Sequence, residues 1–221
     1  MKIDAQALVE GVTAYDPLSL GIEPGGCVSV DFTSCAEDAG ALAARSAEWL
    51  ARLPCPSIAL IPGPAELVGF DIVVTHRGDL DRVEAALSAN PVASTVLVQA
   101  LRIIEMVDLH SGLVVESLAY ATLQQGAEFH RWLESRPPLP ETPSRIDGSA
   151  VQITRHAREL SIALDRPEVR NEIDRDMRDA LFEAFSLVAL DPEIEHVCVH
   201  GLGDSFSSGG ALHEFGHIDS A

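Results

Sequence analysis

The stretch from Pro137 to Ala150, PPLPETPSRIDGSA, constrains this chain more than any other feature. Its four prolines remove backbone donors and fix φ, so the segment can neither continue a helix nor lie in a central strand. It divides the chain into a unit at 1–136, a linker at 137–150 and a unit at 151–221. An apolar content of 47% supplies enough material for a core in each.

The first unit alternates strand and helix signals. Cys27 to Phe32, Ser57 to Ile61 and Phe70 to Thr75 are short β-rich runs, the last two separated by Pro62-Gly63-Pro64. Glu37 to Arg52, Leu80 to Leu87, Thr95 to Met106 and Leu113 to Arg136 carry apolar residues at helical spacing. That alternation predicts a small, helix-rich α/β unit.

The second unit predicts strands at Val151 to Arg155 and Leu160 to Leu164, then a turn at Asp165-Arg166-Pro167, where proline must leave the sheet. Asn171, with Asp174 three positions on, has the form of a helix N-cap. Ile173, Met177, Ala180, Leu181, Ala184, Phe185 and Val188 then mark one helical face. His196 to His200 alternates as a strand, and Gly201 to Gly210 is a glycine-rich turn leading into the expected start of a helix at Ala211.

Charge excludes one class of partner. A formal net charge of −19 opposes nucleic-acid binding, which needs clustered cations. Six of the fourteen arginines, Arg155, Arg158, Arg166, Arg170, Arg175 and Arg178, are concentrated in the second unit, enough to hold a small phosphorylated ligand locally. No run reaches membrane-span length and no signal-peptide pattern follows Met1. The expectation is therefore a cytoplasmic protein with no membrane partner. Cys27, Cys35, Cys55 and Cys198 lack paired spacing and read as small buried hydrophobes. His196 and His200 share a strand face but lie roughly 13 Å apart, too far to share a metal, and read as a partly buried pair.

Two motifs in the second unit carry a family resemblance. Leu164-Asp165-Arg166-Pro167 followed by Asn171 is similar to the LNRP…N signature of the enoyl-CoA hydratase/isomerase (crotonase) superfamily. His200-Gly201 through Phe206-Ser207-Ser208-Gly209-Gly210 resembles that family's TGxGxxFSAGGDL segment. In the first unit, WLARLPCPSIALIPGP followed by Phe70-Asp71-Ile72-Val73-Val74 resembles a shortened LPKPVIAAVNGPA…CDIVV stretch without its glycine-rich insertion. The resemblance implies an α/β fold: the start of a crotonase-like spiral, preceded by an N-terminal unit that is itself a degenerate relative.

The same resemblance implies chemistry on acyl-CoA thioesters, in which backbone N–H groups stabilise an enolate-like oxyanion. Gly210 would supply the first such donor, at a helix N-terminus. Val169 and Arg170 would lie along one side of the coenzyme A moiety, and Ser208, Gly210, Ala211 and Leu212 along the other. Ala211 stands where the family has Asp. Coenzyme A enters as part of the substrate, and no separate cofactor is implied. A trimer-based homo-oligomer is expected of the complete protein. The second oxyanion donor and the acid–base carboxylates have no counterpart here, so the expectation is a truncated domain, or one that another chain completes, without turnover alone. A non-catalytic accessory or CoA-binding subunit is the alternative.

A rival motif overlaps the glycine turn. His213-Glu214-Phe215-Gly216-His217 matches HExxH, the zinc-peptidase helix in which His213 and His217 would bind metal and Glu214 act as base. The sequence ends four residues after His217 and offers no third ligand there, so the motif ranks below the thioester reading.

Overall fold

The computed structural model describes residues 1–10, 12–35, 38–63, 67–137 and 148–216. Most of the proline-rich stretch, 138–147, lies outside the described residues, as does His217. The fold is mixed α/β, and the chain divides into two compact units, Met1–Ser135 and Arg136–Ala221.

The first unit is built on four parallel strands in chain order, β1 (Lys2–Asp4), β2 (Val28–Asp31), β3 (Ser57–Leu60) and β4 (Ile72–Val74). Between them run the helices α1 (Ala5–Glu10) and α2 (Ala39–Ala51), with α3 (Arg77–Ala89) following β4. Every residue of β3 is buried, as expected of a parallel strand covered on both faces. On one side Ala59 joins Val28, Val30, Leu42, Leu50 and Leu53; on the other, Ile58 and Leu60 meet Leu80 of α3. Asp38 caps α2 by accepting the Ala41 N–H at 2.8 Å.

Helices α4 (Pro91–Ile104), α5 (Leu109–Gln124) and α6 (Ala127–Ser135) complete this unit. The single helix expected over Leu113–Arg136 is thus two. The break falls at Gly126, whose N–H turns back to the Leu123 carbonyl at 3.0 Å, and glycine is a poor helix former. A part-buried ion pair pins α4 to the sheet. Asp71 accepts from Arg102 Nε at 2.9 Å and from its Nη2 at 2.6 Å, and from the Ser57 N–H and hydroxyl at 2.7 Å each. The rest of the Arg102 guanidinium donates to the Leu53 and Cys55 carbonyls. No single described helix is long and apolar enough to cross a membrane; α3 and α4, which reach that length only together, meet at a 105° bend.

The second unit opens with an antiparallel hairpin, β5 (Val151–His156) and β6 (Glu159–Leu164). Strand β7 (His196–Gly201) then pairs parallel to β6, and α7 (Arg175–Leu190) lies on one face. Leu160, Ile162 and Leu164 point toward Met177 and Ala184 of α7, with Val199 of β7 in the same cluster. Phe185, expected on that buried face, is 46% exposed. The opposite sheet face carries Gln152, Thr154, His156, Glu159, His196, Cys198 and His200, all exposed. His196 and His200 are therefore not a partly buried pair, although the His200 ring lies 3.2 Å from the Ser161 hydroxyl. The cysteines also divide: Cys55 is buried, Cys27 and Cys35 are intermediate and Cys198 is exposed.

Candidate functional site

The two motif segments meet in the second unit. After β6, Pro167–Val169 makes a single 3-10 turn, and Arg170 and Asn171 follow with φ of 54° and 50°. Asparagine tolerates this left-handed region better than most residues. The Asn171 side chain is wholly buried and fully used. Its Oδ1 accepts the Arg166 N–H at 2.8 Å, and its Nδ2 donates to the Leu202 and Ser205 carbonyls at 2.9 Å each. Asn171 is thus not the N-cap of α7. That role falls to Asp174, which accepts the Met177 N–H at 2.8 Å.

Glycine is required where the loop after β7 closes on this turn. A Cβ on Gly201 would lie 2.4 Å from the carbonyl oxygens of both Ser205 and Phe206 and 2.7 Å from Asn171 Nδ2. One on Gly203, at φ 82°, would meet Pro167 at 2.8 Å. Farther along, residues 207–211 run beside 170–173. The Ser208 N–H bonds the Arg170 carbonyl at 2.9 Å. The Ile173 N–H bonds the Gly209 carbonyl at 2.8 Å, and the Ala211 N–H bonds the Ile173 carbonyl at 3.0 Å. Ile173 and Gly210 form a parallel bridge.

This bridge fixes the direction of one peptide group. The Gly209 carbonyl and the Gly210 N–H belong to a single planar unit with no cis bond, and in a trans peptide the two point opposite ways. With the carbonyl held by Ile173, the Gly210 N–H faces away from it. Gly210 is exposed, and its N–H meets no acceptor among the described residues. Around it, Ala211 is buried, Val169 is half-buried, and Arg170, Ser208 and Leu212 are exposed. The Arg170 guanidinium also has no partner among the described residues. The Ser208 hydroxyl reaches only the Val169 carbonyl, at 3.5 Å.

The helix expected from Ala211 is a three-residue 3-10 turn, Leu212–Glu214. It has too few aligned peptides to add a dipole of its own, so the Gly210 N–H does not lie at a helix N-terminus. Phe215 folds back so that a Cβ on Gly210 would touch its ring at 3.5 Å. Glu214 accepts the Arg175 N–H at 3.0 Å, occupying its carboxylate at the start of α7. The His213 Nδ1 lies 3.6 Å from Glu172. Among the described residues no group of three or more His, Cys, Asp or Glu could hold a metal ion.

Sequence reasoning missed two parts of this arrangement, the Asn171 clamp and Ser207. The Ser207 hydroxyl donates to the Asn171 carbonyl at 2.7 Å and accepts the Gly209 N–H at 3.0 Å. Two successive residues at positive φ are not legible in a sequence, whereas Ser207 could have been noticed as the hydroxyl two residues before Gly209.

No protein-family model and no curated protein matches the chain. Solved structures do match part of it. An enoyl-CoA hydratase from Mycobacterium tuberculosis is 28% identical over 32% of this chain and 31% of its own, with a TM-score of 0.30. A carnitinyl-CoA hydratase from Mycobacterium avium is 28% identical over 33% and 28%, with a TM-score of 0.31. An enoyl-CoA hydratase/isomerase from Pseudoalteromonas atlantica is 26% identical over 33% and 28%, with a TM-score of 0.30. The chain spans less than a third of the length of each.

Proposed function

We propose that the second unit forms the opening part of an acyl-CoA thioester site, in which the Gly210 N–H donates to the thioester oxygen. The observation that carries this reading is the outward Gly210 N–H, without an acceptor among the described residues and held from behind through the Gly209 carbonyl. When a proton leaves the carbon next to a thioester, negative charge gathers on the carbonyl oxygen. A fixed N–H stabilises that charge more than it stabilises the neutral ground state. Removing one such donor typically costs about 10²–10³ in rate. Val169 and Arg170 on one loop, and Ser208, Ala211 and Leu212 on the other, border the place where coenzyme A would lie. The Arg170 guanidinium, exposed and without a partner among the described residues, suits one of its phosphates.

Only one oxyanion donor and no positioned acid–base pair belong to this reading, so the chain alone binds acyl-CoA without turning it over. The remaining groups come from further sequence or from another subunit of a trimer-based assembly. The binding reading is tested by titrating isotope-labelled protein with acetyl-CoA and separately with free coenzyme A. The Gly210 amide should move with the thioester, and residues 169–170 with both ligands. A titration that shifts none of residues 169–170 or 208–212 removes the proposal.

A further inference from the structure

We infer that Ser207, itself anchored by Asn171, is a positioning residue for the Gly210 N–H. This role rests on the thioester reading above. The difficulty it answers is that Gly209-Gly210 is the most flexible dipeptide the chain could place at a donor, while a donor is useful only if its direction is fixed before the charge develops. Gly209 sits at φ 89°, a conformation that turns its own N–H out of the ladder linking 207–211 to 170–173. The Ser207 hydroxyl fills the gap by accepting that N–H and donating to the Asn171 carbonyl. One side-chain oxygen thereby satisfies a backbone donor on one segment and a backbone acceptor on the other.

The consequence reaches the neighbouring peptide plane. Gly209 is gripped at its N–H by Ser207 and at its carbonyl by Ile173, so both of its soft dihedrals are restrained. The plane carrying the Gly210 N–H cannot rotate unless one grip opens. Asn171 extends the restraint inward, since its amide ties Arg166, Leu202 and Ser205 together. The polarised chain from the Ile173 N–H through the Gly209 carbonyl also makes the Gly210 N–H a better donor.

The test uses the full chain and a chromophoric dialkylaminocinnamoyl thioester of coenzyme A, whose absorption moves to the red when its carbonyl is polarised. Wild type should bind the probe with a red shift. Ser207→Ala should lose most of that shift while keeping its affinity for free coenzyme A and its melting temperature, and Ser207→Thr, which retains the hydroxyl, should recover the shift. A Ser207→Ala protein with the full shift overturns the positioning role alone. Loss of shift, coenzyme A affinity and melting temperature together reduces Ser207 to a structural residue and overturns it as well. Wild type that binds without any shift removes the Gly210 reading, and the positioning role falls with it.

Discussion

Each unit gathers a loop around one well-bonded polar side chain, by different means. In the first, Asp71 holds its neighbours through charge. Asp71 and Arg102 have side chains only 12% and 14% exposed, and their hydrogen bonds run to Ser57, Leu53 and Cys55 within the unit. In the second, Asn171 does comparable work as a neutral amide, using both of its amide protons and its oxygen. The charged knot directs its hydrogen bonds inward and ties a helix to a sheet. The neutral knot directs its capacity inward too, yet the backbone it shapes turns outward the Gly210 N–H, which has no acceptor among the described residues. In the second, rigidity and an outward donor coincide at Gly210, and the candidate site lies there.

The largest effect expected from probing this contrast comes from cutting the charged knot. Arg102→Met leaves the little-exposed Asp71 carboxylate with its counter-charge gone and only Ser57 donating to it, a loss of about 3 kcal/mol. Both tryptophans, Trp49 and Trp132, lie in the first unit, so urea unfolding followed by tryptophan fluorescence reads this loss directly. An unchanged midpoint would mean that the knot contributes no more than an exposed pair. Next comes the neutral knot. Asn171→Ala strands the Arg166 N–H and two carbonyls, for about 2–3 kcal/mol. Hydrogen exchange in β6 and β7 should report it while the tryptophan transition stays in place. Gly201→Ala, which forces a methyl against two carbonyl oxygens, should cost about 1–3 kcal/mol in the same region.

Two smaller effects sharpen the comparison. Burial pushes the Cys55 thiol up to about 11, whereas Cys198 is exposed. A thiol reagent near neutral pH should therefore label Cys198 at once and Cys55 only as the first unit unfolds. Glu84 gives the smallest effect. Burial raises its carboxyl, but the Ser29 hydroxyl and the Lys2 ammonium outweigh that and hold it below its ordinary 4.5. Its stabilisation is then complete above pH 4.5 and is lost as pH falls through the depressed value. Glu84→Gln should flatten the acid limb of the first unit's stability curve while leaving that of the second unmoved.

Local rules located most elements because most elements are locally encoded. The apolar runs at Ser57 and Leu160 became strands, and the periodic stretch after Asn171 became α7. Those rules failed where a residue's partners are distant. Asn171 satisfies the sequence pattern of an N-cap, but its amide is claimed by Leu202 and Ser205, 31 and 34 residues away, and Asp174 takes the cap. The helix expected at Ala211 did not form because Glu214 and Phe215 are drawn elsewhere, one to the Arg175 N–H and the other onto Gly210. Lys2–Asp4 is too short to show a period and becomes a strand only by pairing with β2. The glycine loop was legible as a turn; which of its peptide groups faces outward was not.

The Asn171 clamp also sets an order of events as the chain folds. Its bonds to Arg166 span five residues and need only the local turn, so they can form on the timescale of a short loop closure. Its bonds to Leu202 and Ser205 must wait until α7 and β7 are in place, because the cost of closing a loop rises with its length. The peptide plane of Gly210 is aligned by the last of these closures. A partly folded second unit therefore presents the same glycines with no fixed donor among them, and an outward N–H of set direction becomes a property of the completed unit alone.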